Sequence, residues 1–102
     1  MTELAFTSDQ QDDAVVLAVS GEIDMGSAGA LRERVDGLDV SQGTLVLDLA
    51  GVGFVDSSGL GALLGIKKQQ EGAGGRLLLA RVSPAVTRLF EITKMDRVFD
   101  QH

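Results

Sequence analysis

The chain predicts an α/β fold: a small mixed β-sheet of four to five strands with helices packed on it, in the order β-β-α-β-α-β-α. Three observations carry that expectation. Two short, partly β-branched apolar runs separated by a polar turn open the sequence. Three later stretches repeat apolar residues at helical spacing. Further short apolar runs, at 45–49 and 77–80, fall between those stretches.

The elements follow in order. Residues 4–7 and 14–19, joined by a polar turn at 8–13 and closed by Gly21, read as a β-hairpin; Asp12 and Asp13 in the turn are solvated surface. Ser27 is placed to cap a helix whose buried stripe is Ala28, Leu31, Val35 and Leu38, ending near Gly37. Leu45-Val46-Leu47-Asp48-Leu49 is continuously apolar apart from Asp48, which predicts a central strand covered on both faces. Phe54-Val55 follows after a glycine-containing break, and residues 57–71 form the next helix. In that helix Gly61 and Gly65 share one face. Each costs about 1 kcal/mol against Ala, so that face either packs closely on the sheet or stays flat for a partner. Residues 72–75 are a glycine-rich break, 77–80 a strand, and Ser83-Pro84 a helix start with Ser as cap and Pro in the first turn. Val98-Phe99 is a candidate last strand. With no linker, repeat or low-complexity segment, residues 1–102 read as one domain.

Composition narrows the function. The chain has 102 residues and a net charge of −6, with no Cys, Trp or Tyr. An acidic surface without aromatic platforms is unsuited to nucleic acid and suited to a basic protein partner. The lack of Cys removes thiolate chemistry and fits a reducing cytoplasm. No apolar run approaches the roughly 20 residues of a membrane span, and no leader pattern opens the sequence. A cytoplasmic protein without a membrane partner is expected.

The densest chemistry lies in Phe54-Val55-Asp56-Ser57-Ser58-Gly59-Leu60-Gly61, where a carboxylate and two hydroxyls meet a strand-to-helix junction. Asp-Ser-Ser before a helix commonly does no more than cap it. The same place also tolerates a phosphate, because a helix N-terminus presents free N–H groups and partial positive charge. A serine nucleophile fits poorly: neither Ser57 nor Ser58 has the flanking glycines of a nucleophile elbow, and the lone His102 is the last residue, read as frayed. The glycines match neither a dinucleotide fingerprint nor a P-loop. Asp24, Asp48 and Asp56 could gather at strand ends as an aspartyl-phosphate site does. The paired acids after the first strand and the late Lys of such a site are missing, so no metal or cofactor is expected. Gly21-Glu22-Ile23-Asp24 is either a plain strand end or an acidic rim beside Ser57. Pattern alone does not bring the two segments together.

Four segments in order, Gly21-Glu22-Ile23-Asp24, Leu45-Val46-Leu47-Asp48-Leu49, the Asp56-Ser57-Ser58-Gly59-Leu60-Gly61 region, and Val82-Ser83-Pro84-Ala85-Val86 leading to Leu89-Phe90, resemble the STAS domain. The resemblance is to its free-standing bacterial members, the anti-sigma-factor antagonists. It implies a regulator and not an enzyme: in its unphosphorylated form the antagonist binds an anti-sigma factor that is also a serine kinase, and so releases the sigma factor. The kinase then phosphorylates the serine after the Asp, here Ser57, and a serine phosphatase reverses the step. The resemblance further implies Asp24, Asp56, Ser58, Gly59 and Gly61 as partner-contact positions around Ser57. A constitutive STAS scaffold subunit of a signalling or lipid-transport complex is the alternative use of the same fold. One departure is visible: similar proteins often carry Gly near Lys94, between the last helix and the final strand.

Overall fold

The computed structural model describes residues 4–38, 40 and 42–101; His102 lies outside them. Five strands form one sheet in the order β1-β2-β3-β4-β5: β1 (Ala5–Gln11), β2 (Ala14–Ile23), β3 (Thr44–Val55), β4 (Arg76–Ala80) and β5 (Asp100–Gln101). Between them run α1 (Ala28–Asp36), α2 (Ser57–Gly72) and α3 (Pro84–Thr93). β1 and β2 are antiparallel and every later pair is parallel, so the sheet is mixed, as expected.

The topology decides where the helices go. Each β-α-β connection steps to the next strand in the same direction, and such crossovers are right-handed, so α1, α2 and α3 all cover one face. The core is therefore one-sided. Val15, Leu17 and Val19 of β2, Leu45, Leu47 and Leu49 of β3, and Leu77 and Leu79 of β4 are buried under the helices, and the residues between them are only partly covered. This corrects the expectation that 45–49 would be covered on both faces. Val46 and Asp48 lie on the open face with Val16, Ala18 and Leu78, and continuous apolarity here reflects a partly shielded open face.

The sequence break at 50–53 is not a break either. β3 runs unbroken to Val55, but it carries one extra residue against β2 between Asp48 and Gly51 and another between Val52 and Phe54. These bulges shift the pleat, so that Leu49, Val52 and Val55, three apart, all turn into the core. They also turn Phe54 outward. Hairpin strands are longer than apolar content suggests, because pairing with β2 carries β1 through the polar residues to Gln11, and pairing with β3 carries β2 past Gly21 to Ile23. Val98-Phe99 is not the last strand. Phe99 is buried and stacks on Phe90 with ring centroids 5.4 Å apart, and the strand follows it at Asp100–Gln101.

α3 begins as read, with the Ser83 hydroxyl accepting from the Val86 N–H and Pro84 in the first turn. It ends on Lys94, whose φ of 61° is left-handed. That is the helix-end conformation glycine adopts without steric cost. Lys94→Gly is expected to stabilise the fold by about 1 kcal/mol, read as a rise in the urea midpoint.

Asp48, on the open face, accepts from Arg81 Nη2 at 2.7 Å and from Arg81 Nε at 3.1 Å, and also from the Ala50 N–H. The Arg81 hydrogen bond, against a smaller opposing effect of burial, holds the Asp48 carboxyl below the ordinary aspartate value of 3.8. A carboxyl that binds protons less readily folded than unfolded favours the folded state above that ordinary value, and the benefit is lost as pH falls through the lowered one. The urea midpoint of Asp48→Asn should therefore fall less between pH 5 and pH 2.5 than that of the unsubstituted chain.

Candidate functional site

The site is built where β2 and β3 end side by side. The Asp56 N–H donates to Ile23 O at 3.1 Å, locking the end of β3 to the end of β2. Asp56 is then the N-cap of α2: its Oδ1 accepts from the Gly59 N–H at 2.8 Å. Its other oxygen, Oδ2, accepts from the Met25 N–H at 3.1 Å. One carboxylate thus ties the β2–α1 loop to the start of α2, and the two segments that pattern alone left apart are neighbours.

Because Asp56 does the capping, Ser57 and Ser58 are free of that work. Both occupy the first turn of α2 and both are exposed. Behind them Gly59 is buried. A Cβ built there would stand 2.1 Å from Ile23 O and 2.8 Å from Ile23 C, so only glycine lets the first turn of α2 sit directly on the end of β2. Gly61 differs: it is exposed, and a Cβ there would meet nothing within 4 Å. At Gly65 the atoms nearest to a Cβ belong to the end of the Arg32 side chain, which can move aside. The close packing that two helical glycines suggested belongs instead to Gly59, and Gly61 leaves the exposed face of α2 smooth beside the two serines.

Asp24 reaches the same corner with a different task. Its Oδ1 accepts from the Gly26 N–H at 2.9 Å and the Ser27 N–H at 3.1 Å, shaping the loop that carries Met25. Ser27 does not cap α1 with its side chain, as the sequence suggested; its backbone is already helical in φ and ψ. The buried hydroxyl instead donates to Glu22 O at 2.6 Å and accepts from the Asp24 N–H at 3.0 Å, fastening the loop to the strand end. Asp24 is half-buried and Asp56 is half-buried, while Asp48 is drawn to Arg81 on the open sheet face, so the three acids do not gather.

Two exposed apolar residues at this corner escaped the sequence reading. Met25 is 81% exposed and Phe54 is 50% exposed. Met25 had one signal, a large apolar side chain next to a glycine in a loop. Phe54 had none, since its outward turn depends on a bulge. The corner therefore offers an accessible hydroxyl on a rigid, positively polarised helix start, edged by two carboxylates and flanked by apolar side chains. Such a surface can accept a phosphoryl group and can be covered by a protein.

The chain belongs to the STAS domain family, whose profile matches residues 5–102. Within it the chain is similar to anti-sigma factor antagonists. It is 35% identical over 91 residues to the anti-sigma-B factor antagonist of Bacillus subtilis, spanning 89% of this chain and 84% of that protein. The fold agrees with solved structures. An anti-sigma factor antagonist from Mycobacterium paratuberculosis matches with a TM-score of 0.81 at 28% identity, covering 97% of this chain and 85% of that one. The anti-sigma factor antagonist SpoIIAA in its unphosphorylated form matches with a TM-score of 0.74 at 25% identity, covering 96% and 88%. These relatives are named as regulators. Among the described residues no helix is long and apolar enough to cross a membrane.

Proposed function

We propose that this chain is an anti-sigma factor antagonist switched by phosphorylation of Ser57. The unphosphorylated form binds an anti-sigma factor with serine kinase activity and so frees the sigma factor. The kinase transfers the γ-phosphoryl group of ATP to Ser57 Oγ, whose proton leaves as the O–P bond forms and the bond to ADP breaks. The complex then separates, and a serine phosphatase restores the free hydroxyl. Asp24, Asp56, Ser58 and Gly61 form the contact surface around the acceptor; Gly59, expected there too, is buried against Ile23 and seats the helix start instead of touching a partner.

The single observation that carries this reading is the division of labour at the start of α2. Asp56 holds the cap through the Gly59 N–H, so the Ser57 hydroxyl stands exposed and structurally unemployed. Phosphorylation adds about two negative charges. The helix start can carry them without unfolding, while a partner surface that meets Asp56 and Asp24 must now also meet a dianion. The names of the similar proteins support the antagonist role.

Incubating the chain with ATP and each purified anti-sigma kinase of its host genome, followed by phosphosite mapping, tests the proposal. One phosphate on Ser57, absent in Ser57→Ala, is expected. Phosphate on no residue, or on Ser58 alone, contradicts it.

A further inference from the structure

Beside the serine corner lies a groove of about 240 Å³ between the end of β3 and α3, lined by Phe54, Val55, Ala85, Val86, Leu89 and Ile92, with Arg88 at its rim. Nothing in the switch just described uses it. Its origin is structural. β4 stops at Ala80, level with Asp48 of β3, so the last residues of β3 pair with β2 on one side and have no strand on the other, where α3 fills only part of the space. The bulge before Phe54 points that ring outward, and Gly53 contributes no side chain where a Cβ would find open space.

Three features make this more than scattered apolar surface. Phe54 and Ile92 are 50% and 69% exposed, so two of the large exposed apolar residues line one depression. Arg88 is exposed and forms no ion pair among the described residues, a free cation in a chain of net charge −6. The groove also adjoins the acceptor corner along β3, since its lining residues Phe54 and Val55 lead directly into Asp56 and Ser57. Its volume is below the roughly 300–1,000 Å³ of small-molecule pockets, which suits a protruding side chain rather than a metabolite.

We infer that the groove is a second docking point for the same partner that engages Ser57. It takes one apolar side chain, of the kind of Leu or Met, with an adjacent carboxylate that pairs with Arg88. This rests on the proposed phosphorylation switch and adds to it a separation of roles. The groove supplies affinity that phosphate does not touch, and the corner supplies the switch. A few side chains seated in well-packed, desolvated pockets commonly carry a large share of binding energy, and Arg is prominent among them.

The test compares the full chain with Ile92→Glu and Arg88→Glu against the purified anti-sigma kinases of the host genome. Both side chains are exposed, so unfolding midpoints should be unchanged. Arg76→Glu, an exposed cation on β4 away from the groove, controls for net charge. Ile92→Glu and Arg88→Glu should each raise Kd and the KM for phosphorylation about tenfold, with kcat within about twofold. Because the groove acts apart from the switch, the same factor should appear on a Ser57→Asp background. Unchanged Kd and KM in both variants would overturn the inference and leave the Ser57 switch standing, as would an equal loss in Arg76→Glu. A wild-type chain that engages no kinase overturns the switch and the groove together, and is recognised by the absence of binding before any variant is made.

Discussion

Ser57→Asp should weaken binding to the partner kinase at least about tenfold, and stoichiometric phosphorylation of Ser57 about 100-fold, without a change in fold. The difference follows from charge: the aspartate adds one negative charge and the phosphoserine about two. Each tenfold loss corresponds to about 1.4 kcal/mol, and a like charge brought into a desolvated contact beside Asp56 costs several times the value of an exposed pair. Ser57→Ala should behave in the opposite sense. It removes only an exposed hydroxyl that caps nothing, so the complex should form with undiminished affinity and persist when ATP is added. Calorimetric titration of the three forms reads both outcomes. Wild-type affinity in Ser57→Asp would leave the exposed serine without a role in binding.

Gly59→Ala should cost about 2–3 kcal/mol of stability, a large share of the roughly 5–10 kcal/mol expected for a chain of this length. The new methyl group would stand 2.1 Å from Ile23 O. That oxygen already accepts the Asp56 N–H, so it cannot retreat without opening the β2–β3 junction. If α2 moves instead, the Gly59 N–H leaves Asp56 and the loop contact through the Met25 N–H loosens with it. Either route disturbs the acceptor corner, so phosphorylation should slow even in the fraction that stays folded. Gly61→Ala is the contrast. Its Cβ enters open space, and replacing a mid-helix glycine should raise stability by about 0.5–1 kcal/mol. If its stability rises while kinase affinity falls, the smoothness of that face serves the partner.

Most of the architecture was legible because periodicity and punctuation agree. Leu31 and Val35 mark the buried stripe of α1, Ser83-Pro84 marks the start of α3, and the glycines at 72, 74 and 75 end α2. What was not legible depends on pairing between distant segments. The bulges of β3 exist only relative to β2, so nothing local announces that Leu49, Val52 and Val55 share a face or that Phe54 turns out. The one-sided core is likewise a property of crossover direction, and Val46 looks the same on an open face as on a covered one. Ser27 misled for a related reason. It is a good cap by type, but the backbone carbonyl of Glu22 and the N–H of Asp24 come within reach of its hydroxyl and claim it.

At the site, the Asp-Ser-Ser signature singled out the corner at the start of α2, and the resemblance to STAS proteins put Ser57 forward as the acceptor. The contact between that corner and the β2–α1 loop needed coordinates, because Asp56 reaches Met25 across thirty-one positions of chain. Asp24 was expected as a partner contact. The structure places it at the corner, where its carboxylate shapes the loop.

A dianion on one accessible oxygen should separate two proteins while the domain that bears it keeps its shape. The direct measurement is amide NMR of the chain with Ser57 fully phosphorylated, recorded alone and with one equivalent of the kinase. Shifts confined to the residues around α2's first turn, with kinase-induced broadening far below that of the unmodified chain, are predicted. Kinase-induced broadening equal to that of the unmodified chain, or shifts spread through the core, would contradict it.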